Sequence, residues 1–384
     1  MTADWPHPVP PIAPAEYAQR LERLRTLMQA SGVEAVLLGA SESMRYFTGL
    51  VWHPSERLLG ALVLPTRLVY IVPGFERSRV ETLPHVAGDI ATWEEHEDAA
   101  ALVASLAGPA GKVALDDTLP LFAFYPLAAA LGAERIVEGA PLLRSLRLRK
   151  SAAEIAIIRH AMGLTLEVHR RAHALMKPGI RASEAVRFID EQHRALGAPE
   201  GSSFCIVSFG KATALPHGAD GEQTLHAGDV ILVDTGCRID GYHSDLTRTY
   251  TLDEPTPDVA RIWALERAAQ EAVFAAARIG AAAEALDAAA RRVIEAGGLG
   301  PGYRLPGLPH RAGHGLGLDI HEPPYIVRGN RMALEAGMCF SVEPMIVVPG
   351  AFGIRLEDHI CMTEDGPDWF TEPAKSPTEP FASP

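Results

Sequence analysis

Two aspartates in the second half of the chain lie where a carboxylate is costly unless it is paired, hydrogen-bonded or bound to a cation. Asp234 follows the apolar run 230–233, and Asp245 lies beyond the dipeptide Asp240-Gly241. That dipeptide favours a two-residue type I′ hairpin turn, which requires positive φ at both central residues. Such a turn places both aspartates on one face as diagonal neighbours, about 7–8 Å apart at Cα. Carboxylates at this spacing can close around a pair of metal ions, whereas a register slip of one residue would separate them.

Two glutamates repeat this pattern further along the chain. Glu343 and Glu357 each lie within an otherwise apolar predicted strand. Any one of these carboxylates alone is compatible with an exposed strand end or an edge-strand charge. Together with Asp234, Asp245 and one histidine, they suit two divalent cations such as manganese, cobalt or zinc. Carboxylate-rich ligation with a single imidazole favours Mn²⁺ over a lone structural Zn²⁺.

Three histidines, His310, His314 and His321, lie within one glycine-rich segment. The spacing of the first two resembles a helical zinc pair, but Gly313, Gly315 and Gly317 each disfavour a helix by about 1 kcal/mol. We therefore predict a loop that enters a strand, with His314 on a metal ion and the other two free to bind a polarised substrate oxygen or to transfer protons. His217, in a loop after a predicted strand, is a further candidate for the same cavity. An ordinary hydrogen-bonded surface position is the alternative for each histidine taken singly.

The elements that must carry these residues differ between the two halves of the chain. Residues 1–146 alternate helix and strand signals, which predicts a smaller α/β domain. Helical spacing covers residues 15–31, and short apolar runs bounded by Gly, Pro or charged residues predict buried strands at 35–38, 61–64, 68–72 and 112–115.

Residues 147–384 combine helices with strands that follow one another directly, which predicts an α+β domain with antiparallel strands. Ser151 and Glu154 have the spacing of a capping box before a helix that runs to about residue 176. The remaining predicted helices are 182–196, 258–278 and 281–296, and the predicted strands are 204–209, 230–238, 242–251, 338–347 and 354–363. The proline-rich ends of the chain are predicted to be loose tails, with packing of the N-terminal one along the surface as the alternative.

Composition restricts the classes of function. The 384 residues are 47% hydrophobic and 22% charged, as expected for a globular protein of roughly two domains. A net charge of -13 without long lysine or arginine runs argues against nucleic acid or a membrane surface as a partner. No signal peptide or apolar run of membrane-spanning length is present, so we expect a cytoplasmic protein. The four cysteines form no CxxC pair and are interpreted as reduced core residues.

The ordered set of potential ligands resembles that of the pita-bread metallopeptidases of family M24, which includes methionine aminopeptidase, aminopeptidase P and prolidase. The resemblance covers the second half and rests on Asp234, Asp245, His314, Glu343 and Glu357. The first half, with the segment 44–49 after a strand and helix, resembles the creatinase/prolidase N-terminal domain, which methionine aminopeptidases lack. This combination points to Xaa-Pro peptidases.

The resemblance implies a role for each matching residue. Asp234 is implied as a ligand of one metal ion, Asp245 and Glu357 as bridging ligands, and His314 as a ligand of the other ion. Glu343 is implied as a ligand that also orients the nucleophilic water. The substrate-side positions correspond to His217, His310 and His321, and an arginine next to the last ligand corresponds to Arg355.

Two departures from the family pattern concern the substrate site. Many aminopeptidase P and prolidase sequences have a tyrosine four residues after the first glutamate, whereas this chain has Val347. Some prolidases place an arginine just after the His-Glu motif to hold the substrate carboxylate, and that position is not an arginine here. Arg328, Arg331 or a partner subunit's Arg57 are the candidates for this role.

The main hypothesis is an Xaa-Pro dipeptidase with two divalent metal ions, acting on proline-containing dipeptides as a homodimer. Aminopeptidase P, which accepts longer Xaa-Pro peptides, has the same ligands and stays open. A metal-dependent hydrolase of a small cyclic substrate is a further alternative. The intact ligand set argues against a metal-free creatinase-type enzyme and against a catalytically inactive peptide-binding module.

Overall fold

The computed structural model describes residues 9–381, which divide into two compact units, with Ile12–Arg147 as one and the residues from Leu148 onward in the other. The predicted domain limits, 1–146 and 147–384, stay our proposal. The predicted N-terminal tail falls largely on residues 1–8, which lie outside the described residues. In the described part of the chain, no helix is long and apolar enough to cross a membrane.

The N-terminal unit is an α/β domain, as predicted. Its strands are β1 (Val33–Gly39), β2 (Gly60–Val63), β3 (Leu68–Pro73), β4 (Asp89–Trp93), β5 (Lys112–Leu115) and β6 (Ile136–Glu138). They form a six-stranded sheet of order β4-β3-β2-β1-β5-β6, in which β2 is antiparallel to both of its neighbours and the other pairs are parallel. The helices are α1 (Pro14–Ala30), α2 (Glu42–Thr48), α3 (Arg77–Thr82), α4 (Ala99–Ala107), α5 (Leu121–Leu131) and α6 (Ala140–Arg147), with 3-10 turns at Gly74–Glu76 and Ala133–Arg135.

The C-terminal unit contains the long helices predicted from the sequence. They are α7 (Ala152–Leu175), α8 (Ala182–Ala195), α9 (Pro257–Ala276) and α10 (Ala283–Ala296), and a 3-10 turn covers Gly210–Ala214. The capping box at the start of α7 is present, since the Ser151 side chain accepts from the Glu154 N–H and the Glu154 carboxylate accepts from the Ser151 N–H. This arrangement satisfies two of the N–H groups that a helix start leaves without partners.

The strands of this unit pair in antiparallel fashion, as predicted. They are β7 (Ser202–Phe209), β8 (Ile231–Ile239), β9 (Tyr242–His243), β10 (Leu246–Tyr250), β11 (Gly313–Gly315), β12 (Glu322–Ile326), β13 (Cys339–Val342), β14 (Met345–Val348), β15 (Phe352–Arg355), β16 (Asp358–Thr363) and β17 (Gly366–Trp369). One sheet has the order β10-β8-β7 with β9 paired to β8, another has the order β12-β11-β13-β16-β17, and β14 pairs with β15. The apolar face of α9 and α10 packs on the second sheet and on β14–β15, around Val342, Met345 and Ile354.

The predicted hairpin turn is confirmed. Asp240 and Gly241 have φ values of 46° and 81°. Arg238 faces His243 and Thr247 faces Asp234, which is the register that a two-residue turn at these positions produces.

Three predicted continuous strands are wrong, because each is interrupted at a candidate ligand. The segment 242–251 breaks at Ser244-Asp245, 338–347 breaks at Glu343-Pro344, and 354–363 breaks at Leu356-Glu357. Pro344 has no N–H to donate to a ladder, which explains one of the breaks. At the break before β16, the Glu357 N–H donates to the Thr247 carbonyl of β10 at 3.1 Å.

The predicted loose C-terminal tail is also wrong for the residues up to 381. Ala374 is buried in the core of the C-terminal unit. The Pro377 carbonyl accepts the Thr251 N–H at 2.9 Å, and the Phe381 ring contacts His173. Proline-rich composition excludes regular structure but does not prevent packing, so composition alone was an insufficient guide.

Candidate metal centre

The hairpin β8–β10 brings the two aspartates together on its buried face. Asp234 lies in β8 and Asp245 lies in the break before β10, and the two residues are 8% and 4% exposed. Thr247, directly opposite Asp234, donates its hydroxyl to the Glu357 Oε2 atom at 2.7 Å. The same strand pair therefore positions the two aspartates and reaches the second glutamate.

Arg355 connects these carboxylates from the end of β15. Its Nη2 atom donates to Asp234 Oδ2 at 2.5 Å and its Nε atom donates to the Thr247 hydroxyl at 3.1 Å. Arg355 is only 4% exposed, so its charge acts in a medium of low polarity. One oxygen of Asp234 is thus held by a cation of the protein, and the other stays available.

His314 lies in β11 with its ring turned toward the acidic residues. Nε2 is 3.2 Å from Glu343 Oε1 and 3.8 Å from Asp245 Oδ2. Nδ1 lies 3.0 Å from the Gly315 carbonyl oxygen, which can only accept, so Nδ1 carries the proton of a neutral ring. The Nε2 lone pair then points at the carboxylates, and burial lowers the pKa of His314 well below its ordinary value. A neutral imidazole oriented in this way is suited to a metal ion.

Ser341 of β13 connects His314 with Glu343. Its hydroxyl accepts the His314 N–H at 2.8 Å and donates to Glu343 Oε1 at 3.2 Å. This close approach of β11 to β13 requires Gly313, because a Cβ atom there would overlap the Ser341 carbonyl. The glycines that excluded a helix in the sequence therefore permit the strands to meet.

The candidate ligand atoms form overlapping groups in which all atoms lie within 4.8 Å of one another. One group is His314, Glu343 and Glu357, and another is Asp245, His314 and His321. A third group consists of Asp245 and Glu357 with His359, a buried residue that we did not predict. Each of Asp245, His314 and Glu357 belongs to two groups, so the donors surround one continuous space.

The electrostatics of this space favour a cation. Burial and the negative charges of neighbouring carboxylates raise the pKa of Asp245 and Glu357 well above the ordinary range. Burial also raises the pKa of Glu343 to about 7, although the charges of Arg355 and Arg311 oppose the rise. Crowded buried carboxylates disfavour their own ionisation, and a bound divalent ion reverses this effect.

Orphaned oxygen atoms give a second test of the fit. Asp234 Oδ1 and Glu357 Oε1 are buried and have no hydrogen-bond partner among the described residues. An unsatisfied buried carboxylate oxygen costs free energy that a cation would recover. The residues present therefore fit divalent metal ions, with oxygen donors in the majority.

The predicted substrate-side histidines occupy different positions. His321 is exposed yet belongs to one of the ligand groups, and its ring centroid is 4.2 Å from that of His314. His310 is half-buried with Nδ1 at 2.7 Å from the Arg311 carbonyl, and burial lowers its pKa to about 4. His217 is exposed and lies in none of the ligand groups. The pKa of His321 is lowered first by burial, then by the charge of Arg311, and to a smaller extent by His217.

Several supporting residues were missed by sequence reasoning. Thr247 and Ser341 gave no signal, since hydroxyl residues in strands are common. His359 follows Glu357 by two residues, which is same-face spacing in a strand and could have been noticed. Arg248, fully buried, pairs with Asp358 at 2.7 Å and donates to the Glu357 carbonyl at 2.9 Å.

A buried ion pair supports the histidine segment from the start of the unit. The Lys150 Nζ atom lies 2.6 Å from Glu322 Oε1, and the side chains are 1% and 7% exposed. Glu322 follows His321 and faces Gly315 in the ladder of β11 and β12. The pair therefore ties the beginning of the C-terminal unit to the strands that carry His314.

Comparison with known proteins covers both units. The profile of the Creatinase/Prolidase N-terminal domain matches residues 20–149, and that of metallopeptidase family M24 matches residues 156–364. The chain is 36% identical to the probable dipeptidase PepE of Mycobacterium tuberculosis, over 91% of this chain and 93% of that protein. It is 28% identical to the Xaa-Pro dipeptidase of Lactobacillus delbrueckii subsp. lactis, over 92% of this chain and 97% of that protein.

Solved structures agree with these matches. The dipeptidase PepE from Mycobacterium ulcerans superposes with a TM-score of 0.89 at 34% identity, covering 97% of this chain and 99% of that one. The Xaa-Pro dipeptidase from Bacillus anthracis superposes with a TM-score of 0.82 at 29% identity, covering 95% of this chain and 99% of that one.

Proposed function

The chain belongs to metallopeptidase family M24, and from this premise we propose that it is an Xaa-Pro dipeptidase that uses two divalent metal ions, Mn²⁺ in preference to Co²⁺ or Zn²⁺. Membership confirms the predicted pita-bread fold, the creatinase/prolidase-like N-terminal domain and metallopeptidase activity. The observation that carries the finer proposal is the convergence of buried carboxylates with His314 in overlapping groups of donor atoms. The name of the relative from Lactobacillus, an Xaa-Pro dipeptidase, supports the substrate class.

In this proposal, the buried ligands differ in role. Asp234 would hold a metal ion through its free Oδ1 atom and His314 through Nε2, and Asp245 and Glu357 would serve as shared ligands. When bound, the ions supply a water of lowered pKa and positive charge for the oxyanion of the tetrahedral intermediate. Arg355 fixes Asp234 by holding its other oxygen.

The proton transfer falls to Glu343, whose carboxylate Ser341 orients through Oε1. Glu343 takes the proton of the attacking water and returns it to the proline nitrogen as the bond breaks. His321 and His310 hold the substrate carbonyl oxygen. Val347 is buried and has no group that can donate or accept a proton. Glu343 and the two histidines must therefore complete the proton transfer without the family tyrosine.

The decisive experiment is steady-state hydrolysis of Ala-Pro and Ala-Pro-Ala by protein stripped of metal and reloaded with Mn²⁺. We expect Mn²⁺-dependent cleavage of the dipeptide only. Cleavage of the tripeptide at a similar rate would assign the chain to the aminopeptidase P type instead. If the metal-loaded protein cleaves neither peptide, the Xaa-Pro peptidase is rejected. That result would favour the hydrolysis of another amide, such as a small cyclic substrate.

Homodimerisation and a cytoplasmic location stay predictions from the sequence. Neither is needed for the roles proposed above.

A further inference from the structure

Arg311 lies beside the candidate metal centre, immediately before β11. The N–H of the next residue, Ala312, donates to the Ile326 carbonyl at 3.0 Å, so this segment runs along β12. The Arg311 guanidinium carbon stands over the Tyr325 ring, 4.6 Å from its centroid. Tyr325 faces His314 in the ladder. The Arg311 guanidinium therefore lies over the ring of Tyr325, which neighbours the proposed metal ligand His314.

The charge of Arg311 acts on groups on several sides of the centre. Burial is the largest cause that lowers the pKa of His321, and the charge of Arg311 is the second largest. It also contributes to lowering the pKa of His314 and opposes the rise of the pKa of Glu343. A charge that influences all three groups lies close to the candidate metal centre, as the contact with Tyr325 opposite His314 also indicates.

Nothing in the described part of the chain neutralises this guanidinium. No carboxylate there lies within ion-pair distance of Arg311, whereas two other arginines near the centre are engaged: Arg355 with Asp234 and Arg291 with Asp287. Stacking on Tyr325 orients the guanidinium plane but leaves its N–H donors free. A half-buried, oriented and unpaired guanidinium is suited to a planar anion.

The other arginines considered from the sequence are held elsewhere. Arg328 lies over the Tyr303 ring, 5.9 Å from its centroid. Arg331 has a side chain that is 89% exposed and lies 3.9 Å from Glu284. In the N-terminal unit, Arg57 donates to Glu95 at 2.7 Å and also pairs with Glu56.

We propose that Arg311, stacked on Tyr325, binds the C-terminal carboxylate of the substrate and so selects dipeptides. This inference rests on the proposed function, because the C-terminal carboxylate is the only obligatory anionic group of an Xaa-Pro dipeptide. In a dipeptide that carboxylate lies one residue from the scissile bond, so its binding fixes the bond over the metal centre. A longer peptide places a neutral amide at the same point and loses the charged contact.

The size of the effect follows from the type of contact. Hydrogen bonds to a charged group contribute enough to change binding by about 10- to 150-fold. We expect the wild-type protein to prefer Ala-Pro over Ala-Pro amide, which has the same scissile bond and no terminal charge, by roughly this factor in kcat/KM.

The test compares four proteins loaded with Mn²⁺: wild type, R311M, R311K and R328M. Each is assayed on Ala-Pro and on Ala-Pro amide, with metal content and unfolding temperature measured in parallel. R311M should lose the preference for Ala-Pro through a higher KM, while its activity on the amide stays at the wild-type level. R311K should retain part of the preference, because it keeps the charge without the planar donor pair. R328M should behave as wild type.

Other outcomes would overturn the assignment. A wild-type protein that cleaves both substrates equally has no carboxylate site. An equal loss of both activities in R311M would make Arg311 a support of the fold or of the metal centre. Loss of the preference in R328M instead would move the site to that residue. If wild type cleaves neither substrate, the proposed function itself fails and the assignment of Arg311 fails with it.

Discussion

Replacing Lys150 by methionine tests how strongly the start of the C-terminal unit supports the histidine segment. The change keeps most of the apolar length of the side chain and removes only the ammonium group that lies 2.6 Å from Glu322 Oε1. Glu322 then stays at a position where its side chain is 7% exposed, without its cation. It follows His321 and faces Gly315, so any relaxation of Glu322 displaces the strands that carry the imidazoles.

The magnitude follows from the burial of both partners. Removing one member of a buried ion pair costs about 3–5 kcal/mol, since the remaining charge stays buried without the cation that offset its desolvation. For a unit of this size, each kcal/mol lowers the unfolding temperature by about 2–4 °C, so the total shift is roughly 6–20 °C. An exposed pair would give less than about 1 kcal/mol. The exposed pair Arg149–Glu335, with side chains 59% and 52% exposed, provides that matched comparison next to Lys150.

Scanning calorimetry of wild type, K150M, R149M and the double variant K150M/E322L would measure these shifts. We expect R149M to unfold close to wild type and K150M to unfold at a much lower temperature. The double variant should recover most of the lost unfolding temperature, because it removes the buried Glu322 carboxylate together with the Lys150 ammonium. If K150M lies within the range of R149M, or if the double variant is no more stable than K150M, the ion pair does not stabilise this region.

The remaining predictions concern the metal centre and the assembly. E343Q removes the proposed proton acceptor, so kcat on Ala-Pro should fall by about 10²- to 10⁴-fold, with no loss of unfolding temperature in the metal-free protein. D245N removes one of the crowded charges, so calorimetry at neutral pH should show a more stable metal-free protein that gains nothing from Mn²⁺; a lower stability would contradict the electrostatic argument. The pKa values of Asp245, Glu343 and Glu357 are raised in the fold. In the metal-free protein, their contribution to the free energy of unfolding is therefore complete below the unfolded pKa values of about 4. That contribution is lost as the pH rises toward about 7, the pKa of Glu343 in the fold. The stabilisation by Mn²⁺ should therefore grow over that interval in thermal unfolding, and a constant increment would refute the reasoning. Sedimentation equilibrium should give twice the mass of one chain, and a single-chain mass would reject the homodimer.

The parts of the site that follow local rules were predictable from the sequence. The turn at Asp240-Gly241 sets the register of its own hairpin, because only residues that tolerate positive φ fit there. That register places Asp234 and Asp245 on one face before any other contact is known. The glycine spacing around His314 likewise excluded a helix, and the segment enters β11 as predicted.

The parts that depend on contacts between distant segments were not predictable. Lys150 and Glu322 are 172 residues apart, and neither has a neighbour in the sequence that indicates the pairing. Arg248 lies in an unremarkable polar strand, yet it is fully buried against Asp358 and the C-terminal segment. Such residues become recognisable only when the fold shows which charges have lost their access to water.

The breaks in the predicted strands are informative for the same reason. A continuous strand alternates its side chains between two faces and spaces them regularly, which fixes the directions available to a ligand. Asp245, Glu343 and Glu357 each lie where a strand is interrupted, so their side chains are released from that alternation. At Glu357 the interruption is used directly: its N–H and its Oε2 atom both bond to Thr247 of the other sheet. The candidate centre therefore lies at the junction of two antiparallel sheets, and the irregularities that sequence periodicity could not foresee are what allow ligands from both sheets to converge.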